Sequence, residues 1–366
     1  MLPEHHLIIH LNFQPSWRGG ERQVALLAQE LSAIKVNQLL FCRKNSALSH
    51  WASEHQLNFI TNGHVDFSKW KAAAQLSKQV DRKQHVIVHC HESKAHSVAL
   101  LAKLFFKARF KLVLHRRVIF PIRGYLSRYF KYSQLFVDKC ICISDGVRQV
   151  MEKSSTINNF AVVPSMIDLN KEKTETHFIK NHLKITSAIK ICYIAALTKE
   201  KDHYTFLKTA DMIAEQVNGV DFFIAGDGVL EKQLKKYAAG LKYSDNIHFL
   251  GFVEDIPSLL SDTDLLLFTS KHEGLGSTIL DAFKYEVPVV CVKNEGTQSV
   301  INNGSNGILC LPEDTKCLAD SCLKIINDKK FASQLTNRAL KDLNEQYAVD
   351  KCSRDIKSIY EEILNT

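Results

Sequence analysis

Twelve short, mostly apolar runs recur along the chain, each followed by a stretch with helical periodicity. In the first half they are LIIHLN (7–12), QLLFC (38–42), LNFI (57–60), HVIVHC (85–90), KLVLH (111–115), KCICIS (139–144) and AVVP (161–164). In the second half they are IKICYIAAL (189–197), DFFIAG (221–226), IHFLG (247–251), DLLLFTS (264–270) and VPVVCV (287–292). Strands this uniformly apolar are buried on both faces, which is the condition of a parallel sheet covered by helices on either side. The pattern therefore predicts an α/β chain built from doubly wound, Rossmann-like parallel sheets.

At 366 residues the chain is long for one core and sufficient for two. The charged, weakly periodic stretch 168–188, DLNKEKTETHFIKNHLKITSA, reads as the connection between them. The expected domains are 1–180 and 181–345, with 346–366 a terminal helix that has no strand behind it. Residues 1–180 carry 26 Lys and Arg against 13 Asp and Glu, whereas the remainder carries 21 against 26. A basic first half predicts an anionic surface or substrate on that side. No apolar stretch approaches the roughly 18–20 residues of a membrane span, and the start lacks a leader pattern, so a soluble cytoplasmic chain is expected. The ten cysteines are scattered and lack CxxC pairing, which favours reduced structural thiols. HCHES (89–93) lacks a second ligand pair at a metal-site spacing, and no metal is expected.

Ligands of open parallel sheets bind outside the carboxyl ends of the strands. The loops to read are therefore LTKEKDH (197–203), GDG (226–228), GFVED (251–255) and SKHEGLGS (270–277), and in the first half QPSWRGGER (14–22) and HRRV (115–118). In HEGLGSTILDAF (272–283), Gly274 and Gly276 allow close backbone approach around Leu275. A helix opening near Ser277 or Thr278 presents unpaired N–H groups to a diphosphate. Glu273 before that helix and Asp281 one turn into it would accept paired hydroxyls of a sugar and a ribose. Taken singly, Asp281 reads as a complement to the helix dipole and Glu273 as an exposed loop residue. Lys201 stands at a strand's carboxyl end, where a cation offsets phosphate charge.

The ordered set AALTKEKDHYTFL, FFIAGDGVLEKQL, NIHFLGFVEDIPSLLSDTDLLLF, VPVVCV and NEGTQSVINNGSNGILC resembles the donor half of retaining GT-B glycosyltransferases of the GT4 family. RGGER, HRRVIFPIR, DKCICISDGVRQV and VVPSMID extend the likeness over nearly the whole chain. The family's Glu, seven residues, Glu element is here Glu273, seven residues, Asp281. The resemblance implies two Rossmann-like domains facing across a cleft, the last helix crossing back to the first domain, and a nucleoside diphosphate sugar as donor. It implies Glu273 on the transferred sugar, Asp281 on the ribose and Lys201 on the diphosphate, with Gly226, Val253, Gly274, Leu275, Gly276, Ser277 and Thr278 around the donor. Gly19 and Gly20 correspond to the glycine-rich loop of the acceptor domain, and His115 to a cleft histidine that touches the donor sugar. Arg18, Arg116, Arg117 and His91 are candidates for acceptor or phosphate. The chain departs from the pattern at Ala196, where many relatives have an Arg beside their Lys, and at Asp281, shorter than Glu by a methylene.

The expected reaction is metal-independent transfer of a sugar to a hydroxyl of a glycan or lipid-linked acceptor, with retention, in cell-surface glycan or lipopolysaccharide synthesis. The alternatives are a nucleotide-sugar epimerase or hydrolase on the same fold and a non-catalytic donor-binding scaffold. No cofactor and no nucleic-acid partner are expected. The basic and apolar residues of 98–118 and 122–132 suit an interfacial helix on an anionic leaflet, and so peripheral attachment to the inner face of the membrane.

Overall fold

The computed structural model describes residues 2–3, 5–62, 67–80, 85–169, 176–185 and 187–365. Two compact units emerge: Met1–Asp168 with Ala348–Thr366, and Leu169–Tyr347. The division thus falls at 168/169 and 347/348, compared with the 180/181 and 345/346 expected from composition. Within the expected linker, 170–175 and 186 lie outside the described residues.

In chain order the first unit contains β1 (His6–Asn12), α1 (Gly19–Ala33), β2 (Gln38–Arg43), α2 (Ala47–Glu54), β3 (Phe59–Asn62) and α3 (Lys69–Val80). It continues with β4 (His85–Cys90), α4 (Ser93–Phe105), β5 (Lys111–Arg116), β6 (Lys139–Cys142), α5 (Asp145–Ser154) and β7 (Phe160–Val162). The sheet order is β3-β2-β1-β4-β5-β6-β7, parallel throughout. The order reverses between β1 and β4, where a doubly wound sheet opens its ligand crevice.

The second unit contains β8 (Ile189–Ile194), α6 (His203–Ala214), β9 (Val220–Ala225), α7 (Glu231–Ala238), β10 (Ile247–Gly251) and α8 (Ile256–Ser261). It is completed by β11 (Leu265–Phe268), α9 (Ser277–Lys284), β12 (Val289–Val292), β13 (Ile308–Cys310), α10 (Thr315–Asn327) and α11 (Lys329–Gln346). Its parallel sheet runs β10-β9-β8-β11-β12-β13, with the reversal between β8 and β11.

The chain then enters α12 (Val349–Asn365), which belongs to the first unit. Val349, Cys352, Ile356, Ile359, Tyr360 and Ile363 lie on one helical stripe. That stripe packs with Leu27 and Leu31 of α1 against Ile8, Ile87, Val113 and Ile141 of the central strands. Because side chains alternate across a strand, positions two residues beyond those apolar ones share their face. His10, His89 and His115 occupy three such positions.

Two expectations fail here. Residues 98–118 do not form one interfacial helix: α4 ends at Phe105, and Lys111–Arg116 is β5, whose Leu112, Val113 and Leu114 are buried in the sheet. Alternation of basic and apolar residues served a helix end and a strand in succession. The thiols are not all reduced, because Cys310 at the end of β13 and Cys317 in the first turn of α10 are joined with Cα atoms 5.8 Å apart. The other eight cysteines form no disulfide and are buried.

Candidate active site

The second unit's switch point gathers the loops after β8, β9 and β11. At the first of these, Gly226 N–H donates to Gly251 O at 2.7 Å, Leu197 N–H to Asp227 O at 2.7 Å and Leu230 N–H to Leu197 O at 3.1 Å. Gly226, at φ 147°, and Gly228, at φ 156°, make this approach possible. A Cβ on Gly226 would stand 2.0 Å from Ala195 O, and one on Gly228 2.6 Å from Leu197 O. The glycines of GDG therefore press one loop onto the Ala195–Leu197 backbone and hold it for the residues that follow.

Those residues include Lys201. Its carbonyl accepts from Tyr193 Oη at 2.5 Å and from Thr269 Oγ1 at 3.4 Å, and Lys271 N–H donates to Glu200 O at 2.9 Å, tying the β8 loop to the β11 loop. Lys201 Nζ meets Glu273 Oε1 at 2.5 Å, with the two side chains 25% and 13% exposed. The two residues singled out independently at 201 and 273 are thus in contact. Glu273 is set from behind by Gly296, where a Cβ would fall 2.6 Å from Glu273 O and 2.7 Å from its Cβ. Gly296 is itself fixed by Asn294, whose Oδ1 accepts from the N–H groups of Gly296 and Thr297 and whose Nδ2 donates to Ser270 O.

Past Glu273 the chain turns into α9. Gly276 is the N-cap at φ 85°, a conformation that favours glycine, and no side chain caps the helix. Ser277 is exposed, Thr278 and Asp281 are partly buried, and Leu275 is buried beneath the turn. Asp281 lies in the second turn of the helix. Gly274 is partly buried in the loop. Val253 is buried, so only its backbone is offered to a ligand; the exposed neighbour is Phe252. Ala196 is exposed, with no cationic side chain of its own. Lys271 is a further cation in this loop, engaged by Asp202 Oδ2 at 3.3 Å and Glu313 Oε1 at 2.6 Å.

The first unit's switch point is built differently. His10 and His89 are register partners on β1 and β4, and His91 and His115 follow on the same face. His10 Nδ1 and His91 Nε2 are 3.0 Å apart, and His89 Nδ1 meets Tyr360 Oη of α12 at 2.6 Å. Arg117 bridges His91 Nδ1 and His115 Nδ1, each at 3.3 Å. A guanidinium only donates, so both Nδ1 atoms accept and the Nε2 atoms carry the protons. His115 Nε2 is buried without a partner. Burial holds all four imidazoles neutral, with Arg117 adding to it: His10 is pushed down to about 3, and His89, His91 and His115 lie well below the ordinary histidine value. Burial also lowers Arg117 to about 10.

Nitrogens of His10, His89 and His91 lie within 4.8 Å of one another, the only such grouping among the described residues and close enough for a metal ion. The Arg117 guanidinium against His91 sets a fixed positive charge beside them, which opposes a divalent cation, and the contacts read as a hydrogen-bonded cluster. Arg116 does not join it, since its Nη2 donates to Phe120 O within its own loop. Arg18 is exposed just before α1. Glu21 accepts from Arg18 N–H and from Asn12 Nδ2, both at 3.1 Å, which fixes the entry to α1 at Gly19 and Gly20. Nothing lies within 4 Å of a Cβ on Gly20, so close packing does not require the glycine.

Of the residues in these two clusters, Gly296 stood in a quoted segment without being singled out. His10 and His89 carried a signal in hindsight, as histidines interrupting otherwise apolar strands. Tyr360 carried none, lying 271 residues from His89.

Two parallel-sheet units, each with polar groups at the point where strand order reverses, make the GT-B glycosyltransferase fold. A solved structure of Anabaena HepE in complex with UDP-glucose superposes with a TM-score of 0.81 at 19% identity, covering 97% of this chain and 99% of that one. The family model "Glycosyl transferases group 1" matches residues 174–342, and "Glycosyltransferase Family 4" matches 17–171. The chain belongs to this glycosyltransferase family and is a glycosyltransferase. It is 24% identical to an N-acetyl-alpha-D-glucosaminyl L-malate synthase of Bacillus anthracis, over 80% of this chain and 78% of that protein. It is also 24% identical to the UDP-Gal:alpha-D-GlcNAc-diphosphoundecaprenol alpha-1,3-galactosyltransferase of Escherichia coli, over 96% of each.

Proposed function

We propose that the protein transfers a glycosyl group from a nucleoside diphosphate sugar to a hydroxyl of a glycan or lipid-linked acceptor, with retention, in cell-surface glycan or lipopolysaccharide synthesis. The observation that carries the reading is the Lys201–Glu273 contact beside the uncapped start of α9. Without ligand the two side chains neutralise each other. A donor offers each a better partner: the diphosphate takes Lys201 and the α9 N–H groups, and the sugar hydroxyls take Glu273. As the glycosidic bond breaks, negative charge grows on the departing diphosphate, and a fixed ammonium and fixed amides stabilise it without reorganising. This arrangement asks for no metal, and turnover is expected to survive a chelator.

The names of the relatives support the donor and acceptor classes: HepE was solved with UDP-glucose, and the Escherichia coli relative acts on a diphosphoundecaprenol-linked sugar. We place the reaction in the cytoplasm, at the inner face of the membrane. A panel of nucleotide sugars, with and without lipid-linked and lipopolysaccharide acceptors, tests the reading. Nucleotide release that requires acceptor supports it. Release without acceptor indicates a hydrolase or epimerase, and no release with any donor indicates a binding scaffold. The anomeric configuration of the product, read by NMR, tests retention.

A further inference from the structure

Between Glu92 and Asp138 the chain has ten Lys and Arg and no acidic residue. The same stretch exposes large apolar side chains: Tyr125, Leu126 and Leu135 are 76–79% exposed and Phe105 is 62% exposed. Single exposed apolar residues are ordinary, whereas a contiguous group marks a surface that something covers. These residues share a surface of the first unit. Lys131 Nζ donates to Ser93 O, Ser93 Oγ and Ser97 Oγ of α4, each at 2.9 Å, and Lys103 Nζ of α4 donates to Phe136 O at 3.2 Å. Residues 131–136 therefore run along α4 toward its apolar end, where the Trp70 ring of α3 packs edge-on against Phe105 at 4.8 Å.

We propose that the end of α4 and residues 120–135 form a docking surface for a bilayer containing anionic lipid. Exposed Lys107, Arg109 and Arg123 lie beside the apolar side chains, so headgroup charge and acyl-chain contact are satisfied by one surface. The Tyr125 and Tyr129 rings, 4.6 Å apart, are side chains suited to headgroup depth. Lys131, partly buried against Ser93 and Ser97, is pushed down to about 8 by that burial first and then by nearby Lys69. A protein interface fits less well, because lysine is depleted in such interfaces and here it recurs. The inference rests on the proposed lipid-linked acceptor, which is met at a membrane, and it names the surface that meets it.

Flotation of the full chain tests it, using vesicles of phosphatidylcholine alone and vesicles of phosphatidylcholine mixed with phosphatidylglycerol. The wild type is expected to float with the mixed vesicles and to remain below with phosphatidylcholine. The double variant Leu126→Glu/Leu135→Glu, changed only at exposed side chains, should lose at least tenfold in bound fraction while keeping its circular dichroism and its turnover of a soluble acceptor. Failure of the wild type to float with either vesicle, equal flotation with both, or unimpaired flotation of the variant overturns the proposal. Flotation as expected from a protein that turns over no donor overturns the transferase reading and leaves the docking surface standing.

Discussion

The two units solve one problem, placing polar groups at the carboxyl edge of a parallel sheet, with opposite materials. In the second unit the groups come from loops and are charged: Lys201 and Glu273 meet at 2.5 Å, partly open to solvent, and glycines and an asparagine hold the loops by backbone contacts. In the first unit they come from the strands and are neutral: His10, His89 and His115, with His91 just past β4, buried beneath Tyr360 and bridged by Arg117. Charges near solvent can exchange partners for a ligand at little cost, whereas buried neutral imidazoles keep their contacts because charging them is expensive. The second unit's edge is thus suited to taking and releasing an anionic donor, and the first unit's to remaining rigid.

The contrast can be broken at its strongest point by Tyr360→Ala. Removing a fully buried aromatic from the α12 face, and the partner of His89, should destabilise the first unit by about 3–5 kcal/mol. Hydrogen exchange should show that loss in the first unit's strands while the second unit's are unchanged. Equal loss in both would remove the distinction between them.

Lys201→Ala should weaken binding of the bare nucleoside diphosphate by about 1.5–3 kcal/mol, the worth of a hydrogen bond to a charged group, as read by calorimetry. Unchanged affinity would take Lys201 out of the site.

Acid sharpens the contrast. Five imidazoles of the first unit, the four of the cluster and His96 of α4, all lowered chiefly by burial, bind protons in the unfolded chain near the ordinary value of 6.5 and in the folded unit only at much lower pH. The unfolded state therefore holds more protons as pH falls below 6.5. The first unit should lose stability there, by up to about 1.4 kcal/mol per pH unit for each histidine, and regain it above. In the second unit His203, lowered to about 4 chiefly by burial, gives the same sign from one group. Denaturant melts between pH 7 and 5, resolved by unit, check this; a flat first-unit profile contradicts it.

The smallest effect is expected at Asp281. Asp281→Ala should weaken the nucleoside diphosphate by less than Lys201→Ala, and Asp281→Glu should be tolerated. An Asp281→Ala loss exceeding that of Lys201→Ala would move the charge recognition of the site onto α9.

The same contrast explains what could be read from residues alone. Buried parallel strands are nearly continuous apolar runs, so the twelve anticipated runs coincide with β1–β12 to within a few residues. The three-residue β13, set behind the Asn and Gly residues of NNGSNG, was not among the anticipated runs. Lys201 and Glu273 were legible because loops at strand ends are where charge and glycine stand out. His91 and His115 were found, yet their partners were not, since pairing β1 with β4 and docking α12 over both are tertiary facts. The helix expected over 98–118 shows the converse error: a basic and apolar alternation is shared by a helix end and a strand, and only the sheet decides between them. The unit boundary fell early because Ile167 pairs with Ala348 and Val349 N–H donates to Ile167 O, contacts between residues about 180 apart that composition cannot reveal.

The central claim is that Glu273 addresses the transferred sugar while Lys201 addresses the diphosphate. Titrating Glu273→Ala with the bare nucleoside diphosphate, alongside turnover of the complete donor and acceptor, separates the two roles. The account predicts affinity for the nucleoside diphosphate equal to or tighter than wild type, because the competitor for Lys201 is gone, together with a loss of turnover on the order of 10²–10³, the scale seen when one transition-state contact is removed. A Glu273→Ala protein with normal turnover, or one that has lost the nucleoside diphosphate along with the sugar, would contradict it.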